Sequence, residues 1–156
     1  MAQFTVDDRI FKAKLTKMVK ELKAGSYERR NLFQLMGIAG IQNIEDHFKK
    51  EAGPGGAWKP NSPATLKARA ARSSVRAGNK YGPAILRDTG TMWRMNTQIK
   101  TGSVRVGSSA HYAVYHNFGG EKLPQREWAY IDTLGHGKLK SNVAFYIKKI
   151  TGFRLK

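Results

Sequence analysis

The stretch 85–128 constrains the fold most, because it crowds aromatic residues, paired glycines and the clearest strand pattern of the chain into one module. Segments 97–101 and 104–107 alternate apolar and polar residues across Gly102-Ser103, a two-residue turn opening on Gly, which is a β-hairpin signature. The flanks change period. Thr89 is placed to cap a short helical turn carrying Met92, Trp93 and Met95, and residues 112–118 fit a second short helix stopped by Gly119 and Gly120. Tyr112, Tyr115 and His116 stand at i, i+3 and i+4, on one face that docks on the sheet.

Upstream, Thr5-Val6-Asp7-Asp8 reads as a capping-box-like start, followed by Phe11, Leu15, Met18 and Leu22 at helical spacing, with Gly25 as the stop. Lys12, Lys17, Lys20 and Lys23 form the opposite, solvent-facing side. A second helix is predicted over residues 27–50, carrying Leu32, Leu35, Met36, Ala39, Ile44 and Phe48. Gly37 and Gly40 inside it each weaken the helix by about 1 kcal/mol relative to Ala, and read as small residues allowing a close helix crossing. Gly53-Pro54-Gly55-Gly56 ends that helix and opens a long loop holding Trp58. Ser62 as N-cap and Pro63 at the first helical position announce a third helix to about Arg72, poor in apolar residues and so a surface or interface helix. Residues 73–83, small and basic, order against a partner or stay a mobile loop. Over 138–150, Val143, Ala144, Ile147 and Ile150 form a helical stripe that packs back on the sheet, and 151–156 reads as a basic tail.

The sum is an α+β fold: an N-terminal helical pair packed on a small, mainly antiparallel sheet of three to five strands, with extended loop and terminal arms. At 156 residues it fits a single domain, 1–156. Within it, 1–52 is helical, 53–84 a basic loop-and-helix arm, 85–134 the sheet-containing core and 135–156 a C-terminal helix and basic tail. With no cysteine, disulfides and thiolate metal sites are excluded. No run approaches the about 18 apolar residues of a membrane span, and the N-terminus lacks a signal-peptide pattern. The expected setting is the cytoplasm, or a particle assembled there, with no membrane partner.

Charge is the dominant compositional fact: 28 Lys plus Arg against 11 Asp plus Glu, a formal net of +17. It is blocked. Residues 52–87 hold Lys59, Lys67, Arg69, Arg72, Arg76, Lys80 and Arg87 with no acid, and 133–156 hold six further cations with none. Such blocks point to a polyanionic neighbour, nucleic acid or an acidic protein surface, with a merely solvated basic surface as the plain alternative. The first block is the candidate neighbour-facing surface.

Catalytic machinery does not assemble from these residues. Gly107-Ser108-Ser109-Ala110 is not a nucleophile elbow, and Gly55-Gly56-Ala57-Trp58-Lys59 lacks phosphate-loop spacing. His111 and His116, five apart, do not share a helical face for a metal, and His47 and His136 lie far off in sequence. The acids Asp88, Glu121, Glu127 and Asp132 form no recognisable magnesium cluster. Hence no enzyme, cofactor or metal is expected. Asp88, beside Thr89 and Gly90, suits a turn or an Arg partner, and Arg126, held extended by Pro124, is the candidate, within the chain or from a neighbouring subunit.

Leu86 with Asp88-Thr89-Gly90, Val106-Gly107-Ser108, Tyr112-Ala113, His116 with Phe118-Gly119-Gly120, and Pro124 with Arg126 together resemble the phage virion morphogenesis family. This is the tail-completion or head-tail joining family of Mu-like and related tailed phages. Trp58-Lys59-Pro60, Thr65 and the basic helix resemble the region preceding that core, so the likeness covers roughly residues 50–128. The chain departs from the pattern after Arg126, where Glu127-Trp128-Ala129-Tyr130 stands in for a Pro or Glu and an apolar pair, and again at Gly135-His136-Gly137. The resemblance implies a virion component at the head-tail junction, neck, tail completion or tail terminator. It would form a ring, expected as a hexamer, joining capsid connector to tail around the DNA channel. The implied partners are further copies of itself, neck, connector or tail-tube proteins, and phage DNA in the lumen. Trp58, Asp88, Trp93, Tyr112, His116, Phe118, Arg126 and Trp128 are the candidate assembly interface. The alternative is a stand-alone basic nucleic-acid-binding protein, with a magnesium nuclease behind both.

Overall fold

The computed structural model describes residues 8–23, 26–73, 84–100 and 102–152. Its axis is helix α2, Tyr27–Lys50, whose bounds match the predicted span. Ser26 caps it, Oγ accepting from Arg29 N at 3.2 Å, and Glu51 ends it in the left-handed conformation with φ 50°. Helix α1, Asp8–Glu21, precedes it, so the helical pair is present. α1 lies against the C-terminal helix more than against α2. Met18 and Leu22 are half-buried while Leu15 and Val19 are exposed, so the apolar stripe is only partly covered. The proposed cap Thr5 and stop Gly25 fall outside the described residues.

The sheet is divided. Four strands are found among the described residues, in two separate antiparallel pairs. β1, Ala52–Gly53, and β2, Gly56–Ala57, turn the predicted loop around Pro54-Gly55 into a tight hairpin. β3, Met95–Lys100, and β4, Ser103–Ser108, are the expected hairpin. Its ladder pairs Lys100 with Ser103, so Ser103 belongs to the strand, and Gly102 supplies the positive φ of the turn at 87°. Met95 therefore starts a strand instead of closing a helical turn. Thr89 caps no helix: residues 91–93 make a single turn, with Thr89 Oγ1 accepting from Thr91 N at 3.4 Å.

Gly37 and Gly40 do serve close packing, but against the hairpin and not another helix. A Cβ on Gly37 would stand 2.9 Å from Thr97 Cγ2, and one on Gly40 3.1 Å from Val106 Cγ2. α2 thus presses directly on β3 and β4. Past them, Phe48 is fully buried at the centre of the core, and all three tryptophans gather on it: Trp58, Trp93 and Trp128, with ring centroids 5.6, 6.0 and 5.9 Å away. Tilted and edge-on pairs of this kind contribute about 0.5–1.5 kcal/mol each beyond their area.

The remaining helices are α3, Pro63–Ser73, α4, Ala113–Phe118, and α5, Thr133–Thr151. α5 begins five residues before the predicted 138, because Asp132 caps it by accepting from Gly135 N at 2.7 Å. It packs on α2 and α1, not back on the sheet. Gly135 permits the approach, since a Cβ there would stand 2.6 Å from the Asn43 side chain. Residues 74–83 and 153–156, read as a partner-dependent arm and a basic tail, lie outside the described residues, as do Arg76 and Lys80.

Candidate functional site

Most of the motif residues converge on one cleft of about 760 Å³ between α3 and the 86–92 and 112–126 segments. α3 starts as predicted, with Ser62 Oγ accepting from Thr65 N at 3.2 Å, and the loop before it is fastened by Arg126. Arg126 Nε donates to Lys59 O at 3.0 Å, and Nη2 to Pro60 O at 3.3 Å. Arg126 is itself positioned by the return of the chain after α4. Gly119, at φ 76°, lets Gln125 pass so closely that a Cβ would stand 2.9 Å from Gln125 N. Arg126 N then donates to His116 O at 2.8 Å. The Pro124-x-Arg126 motif is therefore a brace that shapes the cleft.

Asp88 faces this cleft, and the partner found for it is Arg69, with Nε to Oδ1 at 3.6 Å. The expected pairing with Arg126 is replaced because the Arg126 guanidinium is turned to the 59–61 carbonyls. Arg69 also donates from Nη1 to Ala84 O at 2.7 Å and is 8% exposed. It belongs to the wall of the cleft, not to an outward basic face. Beside it Leu86 is buried at φ 60°, an outlier for a γ-branched residue. The conformation is enforced from α2: Glu51 Oε1 accepts from Ile85 N at 2.7 Å and pairs with Arg87 Nη2 at 3.3 Å. Arg87 in turn lies over the Trp93 ring at 4.9 Å, tied within the chain on both sides.

His116 lines the same cleft, edge-on to Tyr112 at 6.1 Å. Burial, then the Arg126 and Arg69 charges, hold its imidazole below the usual range, and its Nδ1 is buried without a hydrogen-bond partner. Burial and Arg69 likewise depress the Arg126 guanidinium. Tyr115, expected on the docking face, is exposed, as is Phe118. α4 docks instead through Ala113 and Asn117. Asn117 Oδ1 accepts from both Trp128 N and Ala129 N, at 3.1 and 3.0 Å, and Trp128 Nε1 donates to Ala113 O at 3.2 Å. Trp58 and Trp128, proposed as interface, are core residues: they are buried, and Trp58 Nε1 donates to Glu127 O at 3.1 Å. Trp93 packs on the same core. Lys59 and Lys67 are exposed, Lys59 on the cleft, and Arg72 falls in α3.

Lys122, Asn61 and Asn117 escaped the sequence reading, as did a polar knot beneath the core. His47, 1% exposed, stacks on Tyr130 at 3.9 Å, and its Nδ1 donates to Trp128 O at 3.1 Å. Its Nε2 lies 3.2 Å from Asn43 Nδ2 and 3.5 Å from Asp132 Oδ2, and the same amide donates to Asp132 Oδ1 at 2.8 Å. Asp132 is held below the usual carboxylate range, first by the Gly135 N–H. This is a structural histidine, linked to α5 and the Trp128 strand of chain. No cluster of three metal-ligating side chains occurs among the described residues.

A family model described as the phage virion morphogenesis family matches residues 10–143. The chain belongs to this family. The match runs well beyond the 50–128 likeness, taking in α2, most of α1 and the first half of α5 along with the cleft. No curated protein and no solved structure was found that matches the chain. Membership gives it a structural or assembly role in the virion. No helix among the described residues is long and apolar enough to cross a membrane.

Proposed function

We propose that the chain is a structural component of the head-tail junction, a neck, tail-completion or tail-terminator protein without catalytic activity. It assembles as a ring, a hexamer on our reading, that joins the capsid connector to the tail around the DNA channel. Its partners are further copies of itself and neck, connector or tail-tube proteins. One observation carries this reading: the motif residues are engaged in shaping a basic cleft, with Arg126 holding the Lys59 and Pro60 carbonyls and Gly119 admitting the close pass of Gln125. A ring contact is heterologous, one face of each copy meeting a different face of the next until the circle closes. Six copies would carry about +100, and that repulsion is offset by DNA in the lumen or by acidic neighbours.

Negative-stain imaging of the purified chain, alone and with isolated tails, tests the reading. Rings or capped tails are expected. Monomers that leave tails unaltered overturn it. A second reading, a stand-alone nucleic-acid binder, draws on the net charge of +17 and the exposed lysines of α1. Tight binding of short duplexes at physiological salt favours that reading, whereas a ring component binds them weakly before assembly.

A further inference from the structure

The cleft carries more positive charge than its own residues neutralise. Among the described residues, Lys59, Arg69, Lys122 and Arg126 line it against one carboxylate, Asp88, which already faces Arg69. Arg69 and Arg126 are 8% and 5% exposed, and a charge taken out of water is costly unless a counter-charge accompanies it. The carbonyls that receive Arg126 supply dipoles only. Glu51, the carboxylate that acts on Arg126, is engaged by Ile85 and Arg87. Arg69 Nε is buried without a hydrogen bond. The surplus sits beside the strained Leu86, a backbone conformation that folded proteins keep mainly where a site requires it.

We propose that the cleft receives an extended acidic segment of a neighbouring virion protein, its carboxylates meeting Lys59 and Lys122 at the rim and the Arg69 and Arg126 guanidiniums in the wall. This rests on the assembly reading above. Size and lining favour a peptide over a nucleic acid. About 760 Å³ falls in the range of enclosed ligand pockets and is far too small for a duplex. Leu86, Met92, Tyr112 and Pro124 intersperse apolar surface among the cations. Apolar side chains of a peptide use that surface and phosphodiesters do not.

The test is fluorescence anisotropy with the full chain and a labelled peptide alternating glutamate with leucine. Its glutamine-leucine analogue and single- and double-stranded oligonucleotides are the other arms. The glutamate peptide is expected to bind, and the Lys59→Glu, Lys122→Glu double variant to weaken it about tenfold or more. A Lys100→Glu, Lys140→Glu control makes the same change in net charge at exposed sites outside the cleft, and is expected to leave most of the affinity intact. The proposal is overturned if the glutamine analogue binds equally or the control loses as much. It also falls if an oligonucleotide binds more tightly through Lys59 and Lys122, or if rings of the chain alone require those lysines. A chain that completes tails yet binds no acidic peptide removes the receptor and leaves the assembly reading standing. One that binds the peptide but never enters a particle does the reverse.

Discussion

The α2–α5 contact and the cleft treat charge in opposite ways. Along α2–α5, acid and base alternate: Glu28 accepts from Tyr146 Oη at 2.6 Å and pairs with Lys149 at 3.4 Å, while Asp46 pairs with Lys138 at 3.3 Å. Burial and Glu28 push the Tyr146 phenol up to about 12, so it remains a donor throughout the physiological range. Across the cleft, four cations face one acid. The first surface is complete within the chain. The second keeps a surplus of positive charge, the feature on which our proposal of an acidic neighbour rests.

Four experiments break or sharpen that contrast. The largest effect belongs to the cage both regions lean on: Phe48→Ala should cost about 3–5 kcal/mol in urea unfolding and flatten the near-ultraviolet tryptophan signal. A loss under about 1 kcal/mol would mean the cage is not the core. Next, Arg126→Lys leaves buried carbonyls short of donors and should cost about 1.5–3 kcal/mol, because this wall residue is a brace as well as a charge. Third comes a pair on one helix. Gly135→Ala drives a methyl into Asn43 and should cost about 1–3 kcal/mol. Gly137→Ala, with nothing within 4 Å, should gain up to about 1 kcal/mol from helix propensity. Thermal melts of the two variants should move in opposite directions.

The smallest effect is the pH dependence. His116 has a folded value below the usual imidazole value of about 6.5, so below that pH the unfolded chain binds the proton more readily and stability falls. Asp132 and Glu28 are depressed too, so their contribution is present above the ordinary carboxylate range and lost as pH falls through it. His116→Gln should remove the first decline and leave the second, as read from melting temperature against pH.

Local rules with a strong backbone cause were legible in sequence: the bounds of α2, the Ser62-Pro63 start of α3, the hairpin about Gly102 over 97–107 and the stop at Gly119. What escaped depended on partners distant in the chain. Trp58 and Trp128 look like interface aromatics until Phe48, from helix α2, is placed beside both. The partner of Asp88 is fixed by where α3 is fastened, through Arg126 to the 59–61 carbonyls, and no periodicity encodes that. α5 begins at Thr133 because Asp132 caps it, and Gly135-His136-Gly137 had hidden its first turn. Asn117, two residues after the exposed Tyr115, carried no signal beyond being polar amid aromatics. The family likeness located the cleft-forming motifs better than composition did.

Glu51 has a mechanical corollary. One carboxylate joins the C-terminal end of α2 to the bent segment under Leu86, and α2 in turn presses on the hairpin, so the cleft wall and the hairpin share one helix as their frame. Glu51→Ala would remove that hydrogen bond and ion pair while leaving Ile85 and Leu86 packed in the core beside Phe48.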